Sequence, residues 1–314
     1  VRLYSLAWRR LMFEGTITIS PNPLAASANV YSQTFSPVFI PGKEGFRGFT
    51  KADRADANFW RCGFLLAGSV NFLKKTMVDY LSSMVLVHDE ENQPLWEGFV
   101  FEMELNTGVA VYLMSLLEMY NHVKIRYRVT GAGDPTISMP LQNADSQAKY
   151  GIREYVMTGG ELEDSTVADQ PVQRFLDLHH TPKITPMQLG LAGRRADYDV
   201  KGVTDRPHIK VLCRGFDDTL NWQVYENAAA GNQRASLQIQ DILDAKAQFV
   251  NSYDVSSNPT LVSTKYETDR RAGDIMRDIT RLGDFAAKRW ITYWEFNRHF
   301  VYEKAMSARL AASE

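Results

Sequence analysis

The stretch LWEGFVFEMEL, Leu95–Leu105, decides how the chain is read. As a β-strand, whose side chains alternate between two faces, it puts Phe99, Phe101, Met103 and Leu105 on one side and Trp96, Val100, Glu102 and Glu104 on the other. Downstream, HVKIRYRV (His122–Val129) alternates more strictly, with Val123, Ile125, Tyr127 and Val129 opposing His122, Lys124, Arg126 and Arg128. That pattern predicts a half-buried antiparallel strand with a basic outer face. DSQAKYGIREYV follows at Asp145–Val156. No recognisable catalytic motif sits on or near either strand, so the chain reads as a β-rich building part rather than an enzyme.

Working outward, Gly15–Ser20 predicts a short strand stopped by SPNP, and the Pro-, Gly-, Ser- and Asn-rich stretch Pro21–Asn58 reads as one long loop. Loops beyond about 15 residues are usually functional or ordered by a partner, and this one is the candidate inter-subunit arm. Ser69 is placed to cap a helix carrying Val70, Leu73, Met77 and Leu81. Strands at Met84–His88, Val109–Ser115 and Val123–Val129 complete a first barrel or sandwich, closed by the turn GAGDP at Gly131–Pro135. Asp169 is read as the N-cap of a helix with Pro171, Val172, Phe175 and Leu176, stopped by HHTPKITP at His179–Pro186. A second β region is expected from Ile184 to Tyr225, with Ile209–Cys213 and Leu220–Tyr225 its clearest strands and Thr181–Arg206 poorly patterned. Ser236 is read as capping a helix with Ile239, Ile242 and Leu243. The cleanest helix follows Thr268 and presents Ala272, Ile275, Met276, Ile279 and Leu282 before Gly283. Trp290–Trp294 and His299–Glu303 read as a closing hairpin. No strong internal repeat appears, although β-then-helix occurs in both halves.

At 314 residues with 45% apolar composition, two domains with real cores are affordable. A net charge of −2 argues against a dedicated nucleic-acid binder, which carries a basic excess. The longest apolar run, Gly63–Val70, is far shorter than the ~20 residues a membrane helix needs. Arg2, Arg9 and Arg10 bracket no apolar core, so no signal peptide is expected, and an opening Val1 in place of methionine points to trimming or incompleteness.

The candidate site residues each have a plain structural alternative. Glu102 and Glu104 share a strand face about 7 Å apart, within glycosidase range, but the expected reading is charge pairing with Lys124, Arg126 or Arg128 on a neighbouring strand. His179 and His180 are adjacent, with His208 the next in that region, and none has zinc spacing. Asp217 and Asp218 fit a turn better than a cation site. Cys62 and Cys213 lie far apart without CxxC spacing and are expected as buried free thiols rather than a disulfide or zinc pair. Trp8, Trp60, Trp96, Trp222, Trp290 and Trp294 are scattered, which favours packing over a carbohydrate platform. No nucleophile elbow, phosphate loop or dinucleotide fingerprint occurs. No catalytic, cofactor-binding or metal residue is therefore assigned.

The order of several segments carries a resemblance. W-E-G-F at Trp96–Phe99 precedes a strand ending in Arg126–Tyr127. S-Q-x-x-Y-G-x-R-E follows at Ser146–Glu154, then HIKVLCRGFDDTLNWQVYE at His208–Glu226, SLQIQDIL at Ser236–Leu243, RRAGDIMRDITRLGD at Arg270–Asp284 and RWITYW at Arg289–Trp294. In order and spacing, from about Gly15 to Tyr302, this resembles the central hub or tail-tip (baseplate hub) proteins of tailed bacteriophages. The resemblance implies a β-rich α+β chain. It would contain a first β-barrel-like, tail-tube-like domain over 1–135 with the loop 21–58, and a helical connector over 136–183. A second such β domain over 184–314 would carry a small αβ element near its end. It implies a homotrimer ring, pseudo-six-fold, between tail tube or distal-tail proteins and the tip, fibre or spike. DNA would pass through its lumen without specific binding during genome ejection. Localisation would be the distal tail of the virion, after synthesis in the host cytoplasm, with no membrane span. In that family the W-x-G element lies in a strand where the glycine allows a bend or close approach, and Tyr150–Gly151 is a turn leaving the barrel. The alternatives are a hexameric distal-tail or tube ring, and a tail component that binds or cleaves host glycans.

Overall fold

Strands built on alternating apolar and polar residues are the largest share of the described chain. The computed structural model describes residues 13–24, 32–38, 43–54, 58–108, 110–131, 133–189, 207–227, 231–264, 266, 270–286 and 288–305. Trp8, Thr268 and most of the poorly patterned stretch (190–206) lie outside them. The first half runs β1 (Thr16–Ser20), β2 (Gln33–Phe35), β3 (Gly45–Arg54), β4 (Asn58–Ala67), α1 (Val70–Asp79), β5 (Met84–His88), β6 (Pro94–Asn106) and β7 (Ala110–Ser115). A mixed unit follows: β8 (His122–Val129), β9 (Pro135–Ile137), β10 (Leu141–Gln142), α2 (Ala144–Tyr150), β11 (Glu154–Leu162) and α3 (Ser165–His179). Next come β12 (Ile184–Leu189), β13 (His208–Arg214), a 3₁₀ turn (Phe216–Asn221), β14 (Asn232–Arg234) and α4 (Ala235–Lys246). The chain closes with β15 (Ser252–Val255), β16 (Leu261–Ser263), α5 (Ala272–Leu282), β17 (Trp290–Glu295) and β18 (His299–Lys304).

The main sheet has the order β2-β1-β5-β6-β13-β4-β3, with β7 also on β6 and β12 on β7. All its pairings are antiparallel. β6 is its spine. One edge bonds β13, while the other is shared, Pro94–Phe99 pairing with β5 and Glu102–Asn106 with β7. The switch falls at a bulge: Cys213 opposes Val100 and Leu212 opposes Glu102, leaving Phe101 as the extra residue. An extra residue inverts the alternation. Trp96, Val100, Met103 and Leu105 consequently share the inner face with Ile17, Ile19, Val85, Val87, Ile209, Val211 and Phe64, all buried. Leu73 and Met77 of α1 belong to the same buried cluster, and α1 packs on β6 and β13. Phe99 turns instead to the opposite face, against Phe216 and Trp222, with ring centroids 5.9 and 5.2 Å away. Beyond them lie Phe249 and Trp294. The expected grouping of Phe99 with Met103 and Leu105 is therefore corrected by the bulge.

Past β2, Pro37 makes one parallel bridge to Phe46 of β3, with Val38 N–H donating to Phe46 O (3.0 Å) and Phe46 N–H to Ser36 O (3.1 Å). This links the two edges of the curled sheet, yet none of the sheets closes into a barrel. The chain is β-rich with few helices, as expected.

In the mixed unit Val123, Ile125 and Tyr127 of β8 pack on Ala168, Val172 and Leu176 of α3 as a second small core. β8 is antiparallel to β9 and β10, but its longest neighbour, β11, runs parallel. The main sheet then resumes with β12 and β13, so strands from both sides of the expected boundary at 183/184 share one sheet. In the C-terminal part α4 and α5 pack beside β15-β18-β17, forming the expected αβ element.

Several local expectations are corrected. Gly45–Arg54 is a full strand inside the predicted long loop, because it covers the outer edge of β4. The helix α3 begins at Ser165, five residues before the predicted start after Asp169. Asp164 is its cap, accepting from Val167 N (3.0 Å), and Pro171 lies within the helix. Leu220–Tyr225 is no strand. Asp218 draws in Arg214 (2.7 Å) and Trp222 Nε1 (3.2 Å), curling the segment into the 3₁₀ turn. Ser236 sits inside α4, buried, with Arg234 at the cap position. Ser69 does cap α1, accepting from Phe72 N (3.2 Å), and Gly283 ends α5 with φ +72°.

Gly98 has a steric reason. A Cβ there would lie 2.2 Å from Arg214 O and 2.3 Å from the Trp96 ring. Gly98→Ala is expected to destabilise the fold by about 2–3 kcal/mol through overpacking, read as a lowered urea midpoint at unchanged m-value.

Candidate functional site

Three of the segments quoted for their order in the sequence, Ser146–Glu154, His208–Glu226 and Arg270–Asp284, converge on one buried polar junction between the mixed unit and the C-terminal part. Asn121, fully buried just before β8, is its hub. Its Nδ2 donates to Ser146 Oγ (3.1 Å) and Gly151 O (2.8 Å), and its Oδ1 accepts from Arg153 N (2.8 Å). Its carbonyl accepts from Asn143 N (3.0 Å) and Gln147 Nε2 (3.2 Å). Ser146 also donates to His180 O, holding α2 against the end of α3. Tyr150 ends α2, and Gly151 turns the chain with φ +81° while a Cβ would strike Phe249 at 2.9 Å. The expected Tyr150–Gly151 turn is therefore present. Gln248 clamps Ile152 through both its N–H (2.8 Å) and its carbonyl (3.0 Å).

Charge is embedded in this junction. The Arg153 guanidinium lies 4.3 Å from the Trp222 ring centroid, and its Nε donates to Met119 O (3.0 Å). Burial pushes its pKa down to about 10, with Asp218 opposing the fall. Glu154 is buried, pairs with Lys124 at 2.7 Å and accepts from Val224 N (2.9 Å). Burial raises its pKa, but the Lys124 hydrogen bond and the Val224 N–H outweigh that and leave it below the ordinary carboxylate value. Arg271, at the start of α5, donates to Glu154 O (2.8 Å) and Trp222 O (3.2 Å). This arrangement binds segments together: every bond named here joins residues of different elements or turns.

The other sequence candidates fall elsewhere. Glu102 and Glu104 sit on the β6 face away from the inner core, and β8 is not a neighbour of β6, so the expected pairing with Lys124, Arg126 or Arg128 is corrected. Glu104 instead stands opposite Lys210. Lys124, expected on a solvated basic face, is mostly buried through Glu154. His179 Nδ1 bonds Glu118 O and His180 Nδ1 bonds Leu176 O, separate partners for adjacent residues. Asp218 serves the 3₁₀ turn. Among the described residues, no three His, Cys, Asp or Glu side chains gather as a metal site. Trp96, Trp222, Trp290 and Trp294 are buried, whereas Trp60 is partly exposed beneath Arg61, 4.3 Å from its ring centroid. Cys62 and Cys213 are free and buried. No helix among the described residues is long and apolar enough to cross a membrane.

Sequence reasoning missed Asn121 and Gln248 as junction residues, since nothing local distinguishes them. It also missed the β7–β12 ribbon. There β12 bonds, among the described residues, β7 alone, and Ile184 and Met187 are more than half exposed.

Compared with protein-family models, curated proteins and solved structures, the chain matches none of them.

Two predictions follow from the junction. Glu154→Gln leaves the Lys124 ammonium to the more distant Glu226 carboxylate, 3.8 Å away, and is expected to cost about 3 kcal/mol. Adding Lys124→Met should recover part of that loss in urea unfolding, and a strictly additive double variant would contradict the pairing. His122, opposite Glu154 on β8, has a buried Nδ1 without a partner. Burial, and then Lys124 and Lys246, lower its pKa against the pull of Glu154. The unfolded chain then binds the proton more readily, so stability falls as pH drops below the unfolded value of about 6.5. His122→Gln should flatten unfolding free energy against pH between that value and the lower folded one.

Proposed function

We propose that the chain is a structural virion protein of a phage tail, a hub ring at the distal end of the tail tube that joins tube to tip or baseplate and passes DNA. The observation that carries this reading is the convergence of Ser146–Glu154, His208–Glu226 and Arg270–Asp284 on one junction. The segments whose order resembles the tail-hub family are held together by Glu154 N–H to Trp222 O (2.8 Å), Ala272 N–H to Gln223 O (3.1 Å) and the Arg271 bonds. Residues used in that way belong to a scaffold, and on this reading the protein is not an enzyme and holds no cofactor.

The two-barrel organisation would place one unit in the curled main sheet, whose edges already share the Pro37–Phe46 bridge. The second would lie in the C-terminal half, around β15-β18-β17 and its two helices. Copies would join as a homotrimer, pseudo-six-fold ring, with strand edges such as β12 meeting neighbouring subunits or tube and tip proteins. The virion's distal tail would be its location. DNA would pass the lumen without specific binding, in keeping with a net charge of −2.

Light scattering combined with negative-stain imaging tests the reading. A three-subunit ring of six-fold outline is the expected result. A six-subunit ring would move the protein to the distal-tail or tube ring, and a chain that stays monomeric even with tail tubes present would sink both.

A further inference from the structure

The chain's two cysteines, remote in sequence, stand directly opposite one another in the main sheet: Cys62 of β4 is the register partner of Cys213 of β13. Both are free and almost wholly buried, at 2% and 0% exposure, on the inner face beside Phe64 and Val211. Two steps along the ladder, Gly215 N–H donates to Trp60 O at 3.0 Å, which makes residues 60 and 215 a hydrogen-bonded pair. Such pairs recur at every second position of an antiparallel ladder, so Cys62 and Cys213 form another, with Cα atoms about 5.5 Å apart. That is close to the commonest Cα separation in disulfides, about 5.5–6 Å. Side chains of directly opposed residues leave the sheet on the same face, so the two sulfurs meet with no change of register.

Burial, and then the facing Cys213 thiol, push the Cys62 pKa well up. In the closed sheet the thiol therefore stays protonated and slow to react. Reaction has to pass through transient opening on the β3 side, where β3 is the edge strand that covers β4.

We propose that Cys62 and Cys213 form a reversible cross-strand disulfide that locks β4 to β13 when the chain passes from reducing to oxidising surroundings. Hydrogen peroxide suffices as oxidant. One thiolate attacks peroxide to give a sulfenic acid and hydroxide, which takes up the released proton as water. The second thiol then displaces the sulfenic oxygen as another water while the S–S bond forms. In sum, two thiols and one peroxide become one disulfide and two waters. The link closes a loop containing α1, the mixed unit and β5 to β12, and a long closed loop is the kind that most restricts the unfolded chain. This inference rests on the sheet register alone and stands or falls separately from the tail-ring reading.

The test uses the full chain, reduced and desalted, then treated with hydrogen peroxide with and without sub-denaturing urea. Samples are alkylated with iodoacetamide under denaturing conditions and peptide-mapped without reduction. The expected result is one cross-linked peptide joining the Cys62 and Cys213 segments within a single chain, formed faster in urea. A rise in Tm that dithiothreitol reverses should accompany it, and Cys213→Ser should show neither. The proposal is overturned if both cysteines remain alkylatable, if they oxidise singly to sulfinic acids, or if the link forms between chains. A Tm rise that persists in Cys213→Ser would equally overturn it.

Discussion

Strand β6 must serve three neighbours with two edges, and the rest of the structure depends on how it does so. β13 occupies one edge along most of its length, while β5 and β7 divide the other. A regular strand would continue one pleat past that division. The extra residue at Phe101 bends the strand and inverts its alternation instead. Phe99 thereby leaves the inner face and becomes the contact through which Phe216, Trp222, Phe249 and Trp294 share a core with the sheet. Gly98 beside it lets the Arg214 backbone come close enough to complete the crossing.

A second constraint is polar. Asn121, Glu154 and Arg271 are placed where unpaired groups would be costly, and each has partners drawn from distant segments, while Arg153 is held through Nε on Met119 O and leaves its buried Nη1 unbonded. Networks of this kind are unforgiving when incomplete, so they specify one arrangement of the segments they join. A joint fixed in this way would suit the structural role proposed above. The shifted pKa values of Glu154, Arg153 and His122 follow from burial and charge in this joint.

Much of the fold was legible from local pattern. The strands at Met84–His88, Leu95–Leu105 and Val123–Val129, the α5 helix with its glycine stop and the closing hairpin all follow from period-2 or period-3.6 spacing with ordinary caps. The misses have physical causes. β3 is a strand because it covers the β4 edge and not because of its own composition, and α3 begins early because Asp164 offers a better cap geometry than Asp169. Leu220–Tyr225 has strand-like residues but uses them in a 3₁₀ turn and in the ring contacts of Trp222 and Tyr225. Of the junction, the segments Ser146–Glu154, His208–Glu226 and Arg270–Asp284 stood out in sequence, whereas Asn121 and Gln248 did not.

The sequence by itself determined most of the extended and helical segments, β3 and Leu220–Tyr225 excepted, and that the chain is β-rich, because those follow from contacts a residue makes within a few positions of itself. Only the tertiary structure decided which strands are neighbours, where β6 bulges, that the basic strand β8 pairs with β11 and not β6, and that Cys62 faces Cys213. Each of these is set by hydrogen-bonded register and burial between segments far apart in the chain, and no local periodicity encodes the partner.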